Sequence, residues 1–419
     1  MAERGITTTL YEMRPHRMTP AHQSDQLAEI VCSNTFKSLE LTNAHGLLKA
    51  ELRLMGSLLM DVAEQARIPG GAALTVDREI FSREVTARVE EHPGIEVVRE
   101  EVTELPSPGV IATGPLTSDG LADVVRQRLG VDSLAFYDAI APIVDAESLE
   151  HTELYRASRY GKGDGDDFLN APLTREAYES FIDELLAADQ YTAHEFDSVP
   201  YFEGCLPIEE MARRGRETLR FGPLKPVGLA DPRTGREPHA VVQLRREDRG
   251  GQMWNLVGFQ TRLRIPDQKR VFTRLPGMAS AEFYRCGSIH RNTYLNSPAT
   301  LTAHLSARDD PHLLFAGQLV GVEGYTESLA SGLLAGLNLE RMLREAEPLI
   351  PPPETMLGAL LRYVCECDPK RFQPMNANFG LLPPLDEPIR DKRQKRALLS
   401  ERALSQMRRF AGELATIPG

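Results

Sequence analysis

Apolar side chains along the first hundred residues fall into two kinds of rhythm. Between residues 42 and 67, Leu48, Leu52, Met55, Leu59 and Val62 recur every three or four places, which puts them on one face and predicts a single helix ended by Pro69-Gly70-Gly71. A second helical run (Ile80, Phe81, Val85, Val89) comes after Asp77, whose carboxylate can cap the first-turn amides, and stops at His92-Pro93-Gly94. Shorter β-prone runs predict strands over residues 6–11, 95–102 and 110–112, the first preceded by a helix end turning at Gly5. From about residue 140 the texture changes. Loops rich in Gly, Asp and Pro (160–172, 222–238) alternate with strand-like runs at 239–245 and 253–261. Near residue 311 the pattern returns to a buried strand, 313–316, then a helix dense in small residues, and a Pro-rich linker (348–353) leads to a mainly helical tail. The expected fold class is α/β, with a parallel sheet built from residues 1–145 and 305–419 and a smaller α+β insertion over 146–304.

Composition narrows the setting. With 419 residues, 42% of them hydrophobic and 26% charged, the chain can bury a core without disulfide or metal staples. No apolar run is long enough to cross a bilayer, and the first fifteen residues lack the apolar centre of a signal peptide. Five irregularly spaced cysteines fit free thiols in a reducing compartment, so a cytoplasmic location is expected. The net charge of −12 speaks against a protein coated in nucleic acid, but the charge is uneven. Residues 390–409 are strongly basic, and Arg213, Arg214 and Arg216 form a second cluster. A solvated surface is the usual meaning of such runs, yet a local basic patch also suits an enzyme that grips structured RNA at one place.

Three features carry cofactor chemistry. The strand over 6–11 ends on Glu12, beside Arg14; an acid in that position of a dinucleotide-binding βαβ unit accepts from the adenosine ribose. Residues 110–114 form a short buried strand ending in Ala112-Thr113-Gly114, where the missing Cβ lets backbone approach a flat cofactor. The strand over 313–316 runs into Gly317-Gln318 and the loop Gly321-Val322-Glu323-Gly324-Tyr325, whose amides at a helix start can receive a phosphate or an electron-rich ring edge. Each alone is as easily an ordinary turn. Together they point to FAD in a Rossmann-like domain.

Among the cysteines, Cys286, Cys365 and Cys367 read as small buried hydrophobes, and the C-x-C spacing of the last two has no second ligand pair for zinc. Cys32 and Cys205 differ, being flanked by polar, turn-forming residues with acid–base groups nearby. No metal site is expected.

The blocks LYEMRP (10–15), TPAH (19–22), AEIVCSN (28–34), TNAHGLLKAEL (42–52) and GGAALTVDR (70–78) resemble the folate- and FAD-dependent tRNA uracil-5-methyltransferases. So do IATGPLTS (111–118), YFEGCLPIEEMARRG (201–215), FGPLKPVGL (221–229), VVQLR (241–245), GFQT (258–261), HRNTYLNSP (290–298), GVEGYTES (321–328) and FQPMNANFGLLPP (372–384). The similarity runs nearly end to end. It implies transfer of a one-carbon unit from 5,10-methylenetetrahydrofolate, through reduced FAD, to C5 of uridine 54 in the T loop of tRNA, with electrons from NAD(P)H. Uracil C5 becomes nucleophilic once a thiolate adds at C6, and a second group must remove the C5 proton. The resemblance assigns those two tasks to Cys32 and Cys205 without fixing which does which, and makes Tyr325 similar to the tyrosine that stacks on the flavin ring. The same chemistry on a ribosomal RNA uridine, or an RNA-binding relative without FAD, are the alternatives. The family opens with a strand and a G-x-G-x-x-G loop, which do not occur here upstream of Glu12. In-frame nucleotides upstream of Met1 are expected to encode them, that strand lying between the one ending at Glu12 and the one ending at Ala316.

Overall fold

In the computed structural model, residues 1–130, 134–191 and 206–415 are described. A single turn, Ala2–Arg4, closes on Gly5 at φ 79° and leads into the strand Thr8–Tyr11, which pairs in parallel with Ile95–Val98. Gly109–Ile111 pairs in parallel with Asp310–Phe315, whose other flank is taken by the antiparallel strand Ser306–Ala307. The α/β class and the parallel pairings agree with expectation, but one detail does not. Because the strand leading to Ala316 has a neighbour on each side, it has no open edge towards Glu12. Among the described residues the parallel strands with an open edge are Thr8–Tyr11, Ile95–Val98 and Gly109–Ile111.

The expected single helix over 42–67 is two, Ala44–Leu54 and Leu58–Gln65. Gly56 lies between them in the left-handed region at φ 71°, a conformation other residues adopt only with strain. The break shifts the buried face, so that Met60 is fully buried while Leu59 is only partly covered. Asn43 caps the first of these helices. Asp77 caps Arg78–Glu90 by accepting from the Ile80 amide at 3.0 Å, as its position suggested. Leu47, Leu48 and Leu52 pack into one core with residues of the later helices Tyr325–Leu343, Met356–Glu366 and Lys392–Ala415.

A second core lies over a six-stranded antiparallel sheet in the order Phe283–Arg285, Ile143–Asp145, Met253–Leu256, Ala240–Arg246, Phe168–Leu173, Tyr155–Arg156. Its centre is Leu244, Trp254, Phe259 and Phe272, with the helices Arg175–Ala187 and Ile265–Phe272 packed on it. The ribbon Leu134–Ile140 paired with Ser288–Tyr294 runs alongside the point where the chain enters and leaves this sheet. Among the described residues, no helix is long and apolar enough to cross a membrane.

Candidate active site

The predicted cofactor residues sit at the carboxyl ends of the parallel strands, where open α/β sheets place ligands. Glu12 comes directly after Tyr11. Its carboxylate accepts from the Arg14 amide and side chain at 3.0 Å, while Arg14, 4% exposed, also reaches Glu29 at 3.0 Å. Burial would raise the Glu12 carboxyl, but the Arg14 hydrogen bonds outweigh it and hold the group below the usual range, so it stays a charged acceptor. Ala112 and Thr113 are exposed just beyond Ile111, and Gly114 turns at φ 71°. The Ala316 amide donates to the Ile111 carbonyl at 2.9 Å, which brings Gly114 and Gly317 to the same sheet end.

Gly317, Gly321 and Gly324 have φ values of 73°, 85° and 117°, all in the region that favours glycine. A Cβ at Gly321 would collide with the Phe372 ring, and one at Gly324 with the Glu327 carboxylate. The loop is held from below by Met375, whose amide donates to the Gly321 carbonyl at 3.0 Å and whose carbonyl accepts from Glu323 at 2.9 Å. Val322 is fully buried. Gln318 donates to the Glu323 carboxylate at 2.5 Å. Burial, reinforced by Asp138, pushes that carboxyl far up.

Cys32 meets this loop. Its amide donates to the Tyr325 hydroxyl at 3.1 Å and its sulfur lies 3.1 Å from the same oxygen. With the N–H already directed at the oxygen, the phenolic proton is free to point at sulfur. Burial, then Asp138, push the thiol up to about 11, and the Tyr325 hydrogen bond pulls in the opposite direction. Tyr325 itself stacks obliquely on Phe36, ring centroids 5.6 Å apart. Cys205 lies outside the described residues.

Arginines across the seam between the two cores pin the cysteine loop. Arg78 donates to the Ile30 carbonyl at 2.7 Å and to the Cys32 carbonyl, and pairs with the buried Glu247. Arg245, on the central strand of the large sheet, donates to Asn34 at 2.8 Å and Ser33 at 2.7 Å. Asn34 closes the arrangement by donating to the carbonyls of Val76 and Arg246, each at 2.9 Å.

The profile of the family described as "Glucose inhibited division protein A" matches residues 1–347. Over 409 residues the chain is 58% identical to methylenetetrahydrofolate–tRNA-(uracil-5-)-methyltransferase TrmFO of Geobacter sulfurreducens, covering 97% of this chain and 94% of that protein. The chain belongs to the methylenetetrahydrofolate–tRNA-(uracil-5-)-methyltransferase family. It is also 52% identical over 420 residues to the Aquifex aeolicus TrmFO, covering all of this chain and 94% of that one. The structure of Aquifex aeolicus GidA in the form II crystal shares the fold, with a TM-score of 0.70 at 15% identity over the whole of this chain and 71% of that one.

Within this methyltransferase-family chain, several polar side chains at the site carry no signal of their role in the sequence. A cleft of about 440 Å³ opens beside Met13, Thr19, Leu116, Thr117, Tyr137 and His290. His290 is 7% exposed; burial pushes its imidazole down, partly opposed by Asp138, and its Nδ1 has no hydrogen-bond partner. Asn292, two residues along the same ribbon, is 1% exposed with both amide atoms unpartnered. Both stand in the HRNTYLNSP block, and Arg78 and Arg245 end the GGAALTVDR and VVQLR blocks, so the only signal is membership of a matched motif. Their partners are up to a hundred and seventy or more positions away in the chain and leave no local trace. No group of three or more His, Cys, Asp or Glu that could hold a metal ion occurs among the described residues.

Proposed function

We propose that this chain is a methyltransferase that transfers a one-carbon unit from 5,10-methylenetetrahydrofolate to C5 of a uracil in tRNA, uridine 54 of the T loop, with FAD as cofactor and NAD(P)H as electron source, in the cytoplasm. The observation that carries the reading is the meeting of Cys32 with Tyr325 at the glycine loop, 3.1 Å apart.

The residues present fit a flavin. Gly317, Gln318, Gly321, Val322, Glu323, Gly324 and Tyr325 form a cradle with open backbone, Ala112, Thr113 and Gly114 border it, and Glu12, steadied by Arg14, offers a carboxylate to a ribose. FAD, when bound, carries the one-carbon unit and the electrons between folate and base. The chain's own groups handle the uracil. A thiolate adding at C6 makes C5 nucleophilic, and a base then takes the C5 proton before the thiol leaves. Cys32, whose thiol burial pushes up to about 11, is strongly basic as a thiolate, the form that the Tyr325 hydroxyl favours; in that form it takes the C5 proton and becomes the thiol, which leaves addition at C6 to Cys205. We assign residues 1–145 and 305–419 to the FAD-binding domain and 146–304 to the insertion.

The deciding assay supplies folate, NAD(P)H and labelled one-carbon donor to unmodified tRNA and to ribosomal RNA, then maps the modified base. Methylation at the T-loop uridine is expected. Label in ribosomal RNA alone moves the target, and no label with purified flavin-loaded protein removes the reading.

A further inference from the structure

The helix Lys392–Ala415 has two unlike halves. From Leu399 onward it is anchored, with Leu399, Ala403, Met407, Phe410 and Leu414 buried and Ser400 donating to the Leu41 carbonyl at 2.7 Å. Arg402 ties it to the Pro384 carbonyl at 2.8 Å. Every residue from 391 to 398, by contrast, is exposed. That stretch, with the residue before it, carries Arg390, Lys392, Arg393, Lys395 and Arg396 against the single acid Asp391. Asp391 is itself engaged at the helix start, accepting from the Gln394 amide at 2.7 Å. Several surface arginines elsewhere are matched to carboxylates, as Arg126 is to Asp123 at 2.9 Å and Arg216 to Asp183 at 2.6 Å. Lys392, Arg393, Lys395 and Arg396 form no ion pair among the described residues.

Like charges at i and i+3 or i+4 disfavour a helix, so this arrangement works against its own element. Its position connects it to the chemistry. The Arg396 guanidinium lies 5.8 Å over the Phe379 ring, and the segment bearing Phe379 is the one that supports the glycine loop: Met375 bonds Gly321 and Glu323, and the Ala377 amide donates to Glu327 at 2.9 Å. The cations therefore flank the reacting site, one layer of chain away from Tyr325, on a protein whose overall charge of −12 repels nucleic acid elsewhere.

We propose that Lys392, Arg393, Lys395 and Arg396 form the surface on which the phosphate backbone of the structured RNA substrate docks. The inference rests on the proposed RNA methylation and adds where the RNA is held. A rigid helix with four uncompensated cations suits backbone and shape recognition of an A-form stem, which carries affinity and salt dependence without reading sequence.

The test replaces all four by Gln in the full flavin-loaded chain and measures binding of an unmodified tRNA transcript across a salt series. Expected is binding at least about tenfold weaker at low salt and a slope of log affinity against log salt shallower by about 3, since each of four lost phosphate contacts removes roughly 0.7–0.9. Flavin content and melting temperature should not change. Exchanging Lys for Arg and Arg for Lys at the same positions should restore both affinity and slope. Should the fourfold variant fold poorly, Lys392→Gln with Arg393→Gln alone should still flatten the slope by about 1.5. An unaltered slope in a folded variant overturns the proposal. Failure of the wild-type chain to methylate tRNA would instead strike the functional reading, and the two outcomes are separately observed.

Discussion

The large antiparallel sheet and the parallel strands beside it solve opposite problems. In the large sheet, Ala240–Arg246 is hydrogen-bonded along both sides and buries Val242 and Leu244 completely. Thr8–Tyr11 is four residues long and Gly109–Ile111 three; each is bonded on one side among the described residues, and Tyr11 is half exposed. Long paired strands with an apolar face give rigidity. Short strands serve instead to aim the residues at their carboxyl ends, here Glu12, Gly114 and the glycine loop after Ala316. The two regions meet through Arg78 and Arg245, which carry the stiffness of the large sheet to the cysteine loop. Precision at Cys32 is thus borrowed from a core that contains none of the other described site residues.

The contrast is broken most directly at two of the three described thiols with partial exposure, Cys32 and Cys286. Cys32→Ala should lower methyl transfer by about a hundredfold or more, the usual loss for a proton-transfer group, whereas Cys286→Ala should stay within about twofold. Methylation of unmodified tRNA at saturating folate measures both. Comparable activity in Cys32→Ala and wild type would end the thiol mechanism at this position.

Next in size is the seam. Arg78→Met takes away the closest partner of the buried Glu247 and leaves it only Arg245 at 3.8 Å, and removing one member of a buried pair costs up to about 3–5 kcal/mol. Leu244→Ala in the large sheet should cost a similar amount, about 2–5 kcal/mol, through cavity formation. Denaturant unfolding gives both figures. What separates them is Cys32: its alkylation rate should change in Arg78→Met and hold in Leu244→Ala under native conditions. Equal rates in all three proteins would mean that the cysteine loop does not depend on Arg78 for its position.

How far these features are legible in the sequence depends on their range. The Asp77 cap, the strand to Glu12 and the glycine loop are local, written within a few residues, and can be read directly. Gly56 escapes notice because the apolar spacing runs smoothly through it, and periodicity does not register a left-handed residue. The parallel partner of Asp310–Phe315 lies some two hundred residues back at Gly109–Ile111, so that flank is invisible in any local window, and the short, irregular pairing with Ser306–Ala307 on the other flank carries no hairpin signal. Buried charges are hardest. Arg78, Arg245 and Glu247 look like surface residues in any window, because only the folded chain brings opposite charges together with enough hydrogen bonds to keep them inside.

The smallest effect isolates one hydrogen bond. At Cys32, burial and the Asp138 carboxylate raise the thiol to about 11, and the Tyr325 hydroxyl is the leading group that favours the thiolate. Tyr325→Phe removes that hydroxyl with little change in ring volume or in packing on Phe36. Losing a hydrogen bond to the charged form raises the thiol further, so less thiolate exists at any pH below the midpoint. Alkylation by iodoacetamide proceeds through the thiolate, and its rate falls tenfold for each unit by which the midpoint rises. A single hydrogen bond of about 1 kcal/mol corresponds to somewhat under one unit, hence a rate several-fold lower at pH 8 to 9. Cys286, raised by its own burial and lowered by Lys269 with no hydrogen bond to Tyr325, provides the reference within the same sample and should react at its wild-type rate. Faster or unchanged labelling of Cys32 in Tyr325→Phe, with Cys286 steady, would show that the hydroxyl shields the sulfur rather than stabilising its charge.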